Sequence, residues 1–160
     1  MLDHGQQRSA GMKIGFIFIV ILFLTNCAPK INYTFDPNQR FQGLRTYSWK
    51  PYSNQHKMDN TLIEDNIKAS VDRLLRARGF EKTLENPHMF IVLFYQNRSF
   101  ERFEKYQYTL TTLNFDILDS QTQEPIWRGT AFGKIDAGSA SKALPKAIEK
   151  IFANFPPGAK

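Results

Sequence analysis

The sequence predicts an α+β fold: a mostly antiparallel sheet of about five strands with two helices packed on it, in the order β-β-α-β-β-β-α. Two segments place apolar residues at helical spacing, and five others show the alternation or continuous apolar run of strands. The last three strands follow one another without an intervening helix, which favours antiparallel pairing. A length of 160 residues is that of one domain with a sizeable core.

Two short strands are expected first. Ile31, Tyr33 and Phe35 alternate with polar residues, which predicts a half-buried strand that ends at Asp36-Pro37. Residues 45–50 predict a second short strand that stops at Pro51. The polar residues that follow, up to position 60, indicate a loop.

Two helices are expected, one in the middle of the chain and one near its end. Residues 61–64 form a capping-box pattern, and Gly79 supplies a left-handed stop. Between them runs one apolar stripe: Ile63, Ile67, Val71, Leu74 and Leu75. The second helix begins near Ala143, because Pro145 is tolerated only in a first turn.

The remaining strands surround one hairpin loop. Residues 89–95 are apolar throughout, which predicts a central strand covered on both faces. Residues 106–117 alternate, but the parity changes between 110 and 113, which indicates a bulge or bend. Residues 119–124 form the loop, and residues 125–133 return as a strand with Trp127 in the core and Arg128 on the opposite face.

The N-terminal region predicts a secretory signal in residues 12–26. Lys13 precedes eleven residues that are all apolar apart from Gly15. A spanning helix needs about 20 apolar residues, so this run is too short for one. Residues 1–11 are polar and charged, which makes Met12 the better start and places residues 1–11 outside the native chain.

The end of this signal, Leu24-Thr25-Asn26-Cys27, resembles the lipobox of bacterial lipoproteins. The resemblance implies that the Cys27 sulfur receives a diacylglyceryl group, that the chain is cleaved before Cys27, and that its new amine takes a fatty acyl group such as palmitate. Asn26 departs from the usual Gly, Ala or Ser. Because Asp does not follow the cysteine, the resemblance implies the periplasmic face of the outer membrane. Residues 27–30 form a tether of about 10 Å.

Five segments of the following domain, residues 31–157, carry a family resemblance: 33–37, 41–49, 77–80, 115–119 with 126–129, and 148–156. In order and spacing they are similar to the domain-of-unknown-function 4136 family of bacterial envelope lipoproteins. The resemblance implies an envelope lipoprotein and assigns no activity. Ser120 and Gln123 depart from the Pro and Gly of the family hairpin, and a short charged stretch replaces a Gly/Tyr-rich insertion.

The sequence contains no complete catalytic or metal-binding motif: residues 139–142 match S-x-x-K, but the companion S-D-N and K-T-G motifs are absent. After processing, the remaining histidines are His56 and His88, 32 residues apart and in no metal-binding motif, so neither a metal nor another cofactor is expected. There is no G-x-S-x-G nucleophile elbow. The sequence therefore predicts a protein that is not an enzyme. One alternative stays open: Asp116 and Asp119 as the acid and base of a hydrolase acting on an envelope polymer.

Charge and aromatic residues suggest a binding role. Removal of residues 1–26 leaves 19 basic and 14 acidic side chains, interleaved along the chain, which fits anionic lipid or envelope polymer better than nucleic acid. The candidate partner surface is an aromatic–arginine cluster where two strands connect: Arg98, Phe100, Arg102, Phe103 and Tyr106. The alternative is that its phenylalanines fold back beneath the hairpin. The expected function is binding of an envelope protein or polymer, and a purely structural role is the other alternative.

Overall fold

The computed structural model describes residues 28–51, 61–102, 105–138 and 141–158, with the backbone alone described at 61, 98–102 and 105–107. The strands are β1 (Lys30–Phe35), β2 (Thr46–Lys50), β3 (Glu81–Lys82), β4 (Met89–Arg102), β5 (Lys105–Asp119) and β6 (Pro125–Asp136). The helices are α1 (Thr61–Ala77) and α2 (Ala143–Ile151), with short 3-10 turns at Phe41–Gly43 and Phe152–Asn154.

The six strands form one mixed sheet in the order β1-β6-β5-β4-β2-β3. Pairing is antiparallel from β1 to β4, whereas β2 runs parallel to both β4 and β3. The α+β class and the two helices are confirmed, but the prediction of a mostly antiparallel sheet of about five strands was wrong. Helix α1 carries the chain back to the starting end of β2, so the next two strands, β3 and β4, run parallel to β2. The extra strand, β3, has two residues, too few to show any alternation.

Only one face of the sheet is covered by the helices. The core residues of α1 and α2 join every second residue of the central strands in one cluster, which includes Met89, Ile91 and Leu93 of β4. Their neighbours Phe90, Val92 and Phe94 are half-buried on the other face. The expectation that residues 89–95 are covered on both faces was therefore wrong. A continuous apolar run does not show by itself how many layers lie on a strand.

The helix ends follow the local sequence. At the end of α1, the Phe80 amide donates to Leu75 O and the Gly79 amide to Arg76 O, each at 3.0 Å, and Gly79 has φ +82°. This is the Schellman arrangement that glycine permits. Helix α2 begins at Ala143 with Pro145 in its first turn, as predicted. Arg78 joins the two ends, because its Nη1 donates to the carbonyls of Phe152 at 2.5 Å and Phe155 at 2.8 Å.

Strand β5 confirms the predicted irregularity. The pairing of β5 with β6 shifts between Leu110 and Thr112, and that of β5 with β4 shifts between Gln96 and Asn97. The extra residue restores the same inward face on both sides of the shift, so Leu110 and Leu113 are both buried.

An aromatic cluster fills the core between β6 and the end of α2. The Trp127 ring lies 5.3 Å from that of Phe152 and 5.2 Å from that of Phe155, centroid to centroid. Trp127 is 1% exposed, as predicted, while Trp49 is only partly buried at the edge of the core. Gly129, opposite Phe115 in the pairing, leaves the space that the Trp127 ring occupies.

Candidate binding surface

The sheet face away from the helices, here called the open face, is built from alternate residues of three central strands. Strand pairing places Asp116 opposite Arg128, Asn114 opposite Thr130 and Thr112 opposite Phe132. Paired residues of antiparallel strands lie on the same face. The described members of the open face are Phe90, Val92, Phe94, Thr112, Asn114, Asp116, Leu118, Arg128, Thr130 and Phe132.

A continuous row of side-chain hydrogen bonds crosses the open face. Thr130 Oγ1 donates to Asn114 Oδ1 at 2.5 Å, and Asn114 Nδ2 donates to Asp116 Oδ1 at 2.9 Å. Arg128 completes the row, with Nε and Nη2 each 2.6 Å from an oxygen of Asp116. Two parallel charge-assisted bonds fix the guanidinium plane. The Asp116 side chain is 16% exposed and that of Arg128 is 55% exposed, so the row presents its cationic member to the outside.

Apolar residues lie on the β4 side of this polar row and at its two ends, whereas polar residues of β1 lie on its other side. Phe132 is 45% exposed, and Phe90, Val92, Phe94 and Leu118 are half-buried. Lys50 reaches across the edge of this surface, with its Nζ 5.5 Å from the Phe90 ring centroid and in contact with Gln123 Oε1. Partly exposed aromatics around an ordered arginine have the composition of a binding surface.

The two carboxylates considered for catalysis are held separately. Asp116 is bonded to Arg128 and Asn114 on the open face. Asp119 Oδ1 accepts the backbone amides of Gln121 at 2.8 Å and Thr122 at 2.9 Å, which caps the β5–β6 turn. The two carboxylates share no partner in these bonds. The geometry gives each of them a structural role, and it does not assemble them into an acid–base pair.

The histidine inside the described ranges also has a local role. Thr46 donates its backbone amide to His88 Nδ1 at 3.2 Å, and Thr46 Oγ1 lies 2.7 Å from the same nitrogen. His88 thus joins the start of β2 to the loop before β4. His56 lies outside the described residues. Among the residues that are described, there is no group of three or more His, Cys, Asp or Glu side chains suited to a metal ion.

The structure describes some of the sequence-predicted site residues and not others. The lipobox residues Leu24, Thr25, Asn26 and Cys27 lie outside the described residues, as does Phe103. The backbones of Phe100, Arg102 and Tyr106 belong to a two-stranded extension of β4 and β5, paired with Gln107, Lys105 and Glu101 respectively, and Arg98 pairs with Thr109 in the row where β6 ends. Within the described segments, no helix has the length and apolar character needed to cross a membrane.

A second polar network was missed by the sequence reasoning. Asp72, on α1, accepts hydrogen bonds from Tyr47 OH at 2.9 Å, Trp49 Nε1 at 2.8 Å and Lys82 Nζ at 2.9 Å. It therefore ties α1 to β2 and to the edge strand β3. Burial raises the pKa of the Tyr47 hydroxyl, and its bond to Asp72 raises it further. No local pattern marks Asp72, which is one of several acidic residues on the polar side of the helix.

Tyr47 gives a pH-dependent prediction. In the folded state Tyr47 keeps its proton above pH 10, whereas an unfolded tyrosine releases its proton near pH 10. The raised pKa therefore contributes stability that is fully present below about pH 10 and is lost as pH rises beyond that value. We expect Tyr47→Phe to reduce the alkaline loss of stability by up to about 1.4 kcal/mol per pH unit. Urea unfolding between pH 8 and 11 measures this loss. The control is Tyr33→Phe at a 45% exposed position, and an equal slope in the two variants contradicts the prediction.

The fold and the open face place the chain among two-layer α+β domains with one uncovered sheet face. Within this class it belongs to the family described as Domain of unknown function (DUF4136), whose model matches residues 31–157. This confirms the family resemblance found in the sequence.

Three solved structures share the fold at low sequence identity. A DUF4136 family protein from Bacteroides thetaiotaomicron has a TM-score of 0.58 at 11% identity, covering 82% of this chain and 97% of that one. PelC from Paraburkholderia phytofirmans, a dodecamer, has a TM-score of 0.56 at 13% identity, covering 78% and 96%. A PDZ domain protein from Parabacteroides distasonis has a TM-score of 0.54 at 13% identity, covering 83% and 37%. No curated protein has significant sequence similarity to the chain.

Proposed function

We propose that this chain is a lipid-anchored lipoprotein of the bacterial envelope that binds another envelope component through its open face and catalyses no reaction. The observation that carries the binding role is the placement of both described helices on one face of the sheet. The other face presents an ordered polar row beside an apolar patch. Membership of the DUF4136 family fits this role without specifying a partner.

The anchor rests on the N-terminal sequence. A lysine, an apolar run and Leu24-Thr25-Asn26-Cys27 have the order of a lipoprotein signal. Two residues, 28 and 29, separate Cys27 from Lys30, the first residue of β1. We propose the periplasmic face of the outer membrane as the location, because Ala28 stands where an aspartate would favour the inner membrane.

The open face is suited to binding because its central groups are already ordered. Arg128 is held in one plane by Asp116, and Asp116 is held in turn by Asn114. A side chain that is fixed before association loses little rotamer entropy when it binds. Exposed arginine and aromatic side chains also contribute most to the free energy of typical interfaces. We therefore assign Arg128 and Phe132 as the main contact residues.

A binding role accounts for the carboxylates better than the hydrolase alternative does. A general acid or base must be able to exchange its proton with the substrate. Asp116 would have to give up two 2.6 Å bonds to Arg128, and Asp119 would have to give up the amides of its own turn. Breaking these bonds costs free energy, so both residues are disfavoured as catalysts.

The mass of a cross-linked adduct distinguishes the possible partners. PelC, which shares the fold, assembles as a dodecamer, so a second copy of this chain is the first partner to test. An envelope protein or polymer is the other. Both would use the open face, since it offers the largest set of ordered groups away from the helices.

Photo-cross-linking in living cells tests the binding role. A benzoyl-phenylalanine replaces Phe132 on the open face in one strain and Leu62 on α1 in another; Leu62 is 73% exposed and lies on the helical side. We expect adducts from position 132 and not from position 62. An adduct of twice the chain mass identifies a second copy, and any other mass identifies a different component. No adduct at 132, or equal adducts at both positions, argues against the open face and leaves the structural role.

A further inference from the structure

We propose that the projecting end of the β4–β5 hairpin rests on the anionic phospholipid surface that holds Cys27. This projecting hairpin consists of residues 97–102 and 105–110. The inference depends on the lipid anchor of the proposed function and deepens it, because it states which end of the domain faces the membrane. It also gives the aromatic–arginine segment a lipid rather than a protein partner.

The projecting hairpin extends from the same end of the sheet as the N-terminus. Lys30, at the start of β1, pairs with Phe132, which pairs with Thr112, which pairs with Gln96. From that row β4 continues for six more residues, to Arg102. At about 3.3 Å per residue the hairpin reaches roughly 20 Å beyond the row of Lys30.

The last part of this hairpin stands alone among the described residues. Strand β6 ends at Asp136, which pairs with Thr109. The next residue, Ala137, donates its amide to the Tyr108 carbonyl at 2.9 Å, and beyond it three further pairs join β4 and β5 only, from Phe100–Gln107 to Arg102–Lys105. In the described part of the chain no third strand pairs with this segment. The strand pair therefore forms an arm at the end from which the anchor leaves.

The path of the tether is set by Pro29. A Cβ atom on Gly133 would lie 3.4 Å from Pro29 Cα, so Pro29 packs against the residue that follows Phe132 on β6. The chain before Lys30 thus continues along β6 toward the projecting hairpin. Only Ala28 separates Pro29 from Cys27, which places Cys27 within about 7 Å of Pro29.

The tether is therefore shorter than the arm. Cys27 reaches about 10 Å from Lys30, whereas the hairpin reaches about 20 Å from the same row. When the acyl chains of Cys27 enter the bilayer, the arm must meet the lipid headgroups or lie along them. Either arrangement places residues 99–102 and 105–107 in the membrane interface.

The composition of the arm matches that interface. Residues 98–102 and 105–107 include three basic residues, two aromatic residues and one acidic residue: Arg98, Arg102, Lys105, Phe100, Tyr106 and Glu101. Aromatic residues favour the headgroup region, and basic residues favour anionic lipid. The hairpin at the opposite end, residues 119–124, contains Asp119 and Glu124 with no basic or aromatic residue. The domain thus has one end suited to lipid and one end that is not.

A single fluorescent label tests the proposal on the lipidated protein. Cys27 is the only cysteine, and acylation consumes its thiol, so a new cysteine is the one free thiol in the lipidated chain. We choose Gln107→Cys on the arm and Gln121→Cys on the opposite hairpin, which replace the same residue type. Each protein is labelled with nitrobenzoxadiazole and placed in phosphatidylethanolamine–phosphatidylglycerol vesicles containing brominated lipid.

We expect bromine quenching about threefold or more stronger at position 107 than at 121, since interfacial groups lie about 5–10 Å into the headgroup boundary. Ser99→Cys, across the arm, repeats the test if Gln107→Cys misfolds. Equal weak quenching of an acylated protein at both arm positions and at 121 overturns this inference and leaves the anchor intact. A blue shift at 107 without quenching indicates contact with a second copy and also overturns it. An intact mass without acyl groups overturns the anchor itself, and with it the proposed function.

Discussion

Trp127→Ala is expected to lower the free energy of unfolding by about 3–5 kcal/mol, the largest loss of stability for any single truncation in the core. The ring is 1% exposed and packs on Phe152 and Phe155, at centroid distances of 5.3 and 5.2 Å. Its removal separates β6 from the end of α2, the point at which the second helix meets the sheet. Urea unfolding of the mature chain, followed by circular dichroism, measures the loss.

The same contact can be tested from the other side through Gly129. An added methyl group there would lie 2.2 Å from Cη2 of Trp127 and 2.6 Å from Cγ2 of Ile151, so the core must shift to accept it. Overpacking of this kind costs about 1–3 kcal/mol. Gly43→Ala is the matched control, because nothing lies within 4 Å of its added methyl group. Equal stability of the Gly129→Ala and Gly43→Ala proteins contradicts this account of the core.

Combining substitutions isolates the pairwise contact. Trp127→Phe removes the indole atoms that the new methyl group meets, so Gly129→Ala should cost less in that background than in the wild type. If the two losses simply add, the methyl group and the ring do not meet.

Local chemistry made most of the elements predictable. The glycine stop at Gly79, the first-turn Pro145 and the Asp119 turn each depend on residues within four positions, and the structure has all three as expected. The parity change in residues 106–117 is also local, because a bulge leaves its trace in the alternation. The face of Arg128, opposite that of Trp127, follows from strand periodicity alone.

The sheet order and its single helical layer were not predictable in this way. Strand β3 forms because Glu81 and Lys82 lie beside Thr46 and Tyr47, which depends on the path of α1. The apolar run of β4 predicts a strand that is covered on both faces, although Phe90, Val92 and Phe94 are only half-buried on the open face. Asp72 receives its three donors from β2 and β3, so its role exists only once α1 has packed.

The candidate sites also combine features that the local sequence predicts with features that depend on the fold. Composition alone identified the aromatic–arginine segment, but its position at the anchored end follows from the pairing of Gln96, Thr112, Phe132 and Lys30. The row from Thr130 to Arg128 combines residues from two strands, and each of its members is unremarkable in sequence. The residues that come together on each surface are set by strand register, which a local sequence pattern specifies only in part.

The substitution with the largest expected effect on location is Cys27→Ser. Acylation of the Cys27 sulfur precedes cleavage in lipoproteins, so the serine variant should carry no acyl groups and should keep the residues ahead of position 27. Intact mass of the protein from the envelope fraction reads both outcomes in one spectrum. The wild type should begin at Cys27 with added acyl mass. A wild type without acyl mass, or a serine variant shortened at the same place, contradicts the lipid anchor.

Asn26→Ala is the matched control beside the cysteine. It restores a small residue of the usual lipobox and leaves the thiol in place, so it should be acylated and cleaved at least as completely as the wild type. The comparison also separates the anchor from the projecting hairpin. Each buried methylene of an acyl chain contributes about 0.8 kcal/mol to membrane binding, so a lipidated cysteine holds the chain far more firmly than a few interfacial aromatic and basic residues do. In the proposed arrangement, the arm therefore sets the orientation of the domain, and Cys27 sets its residence at the membrane.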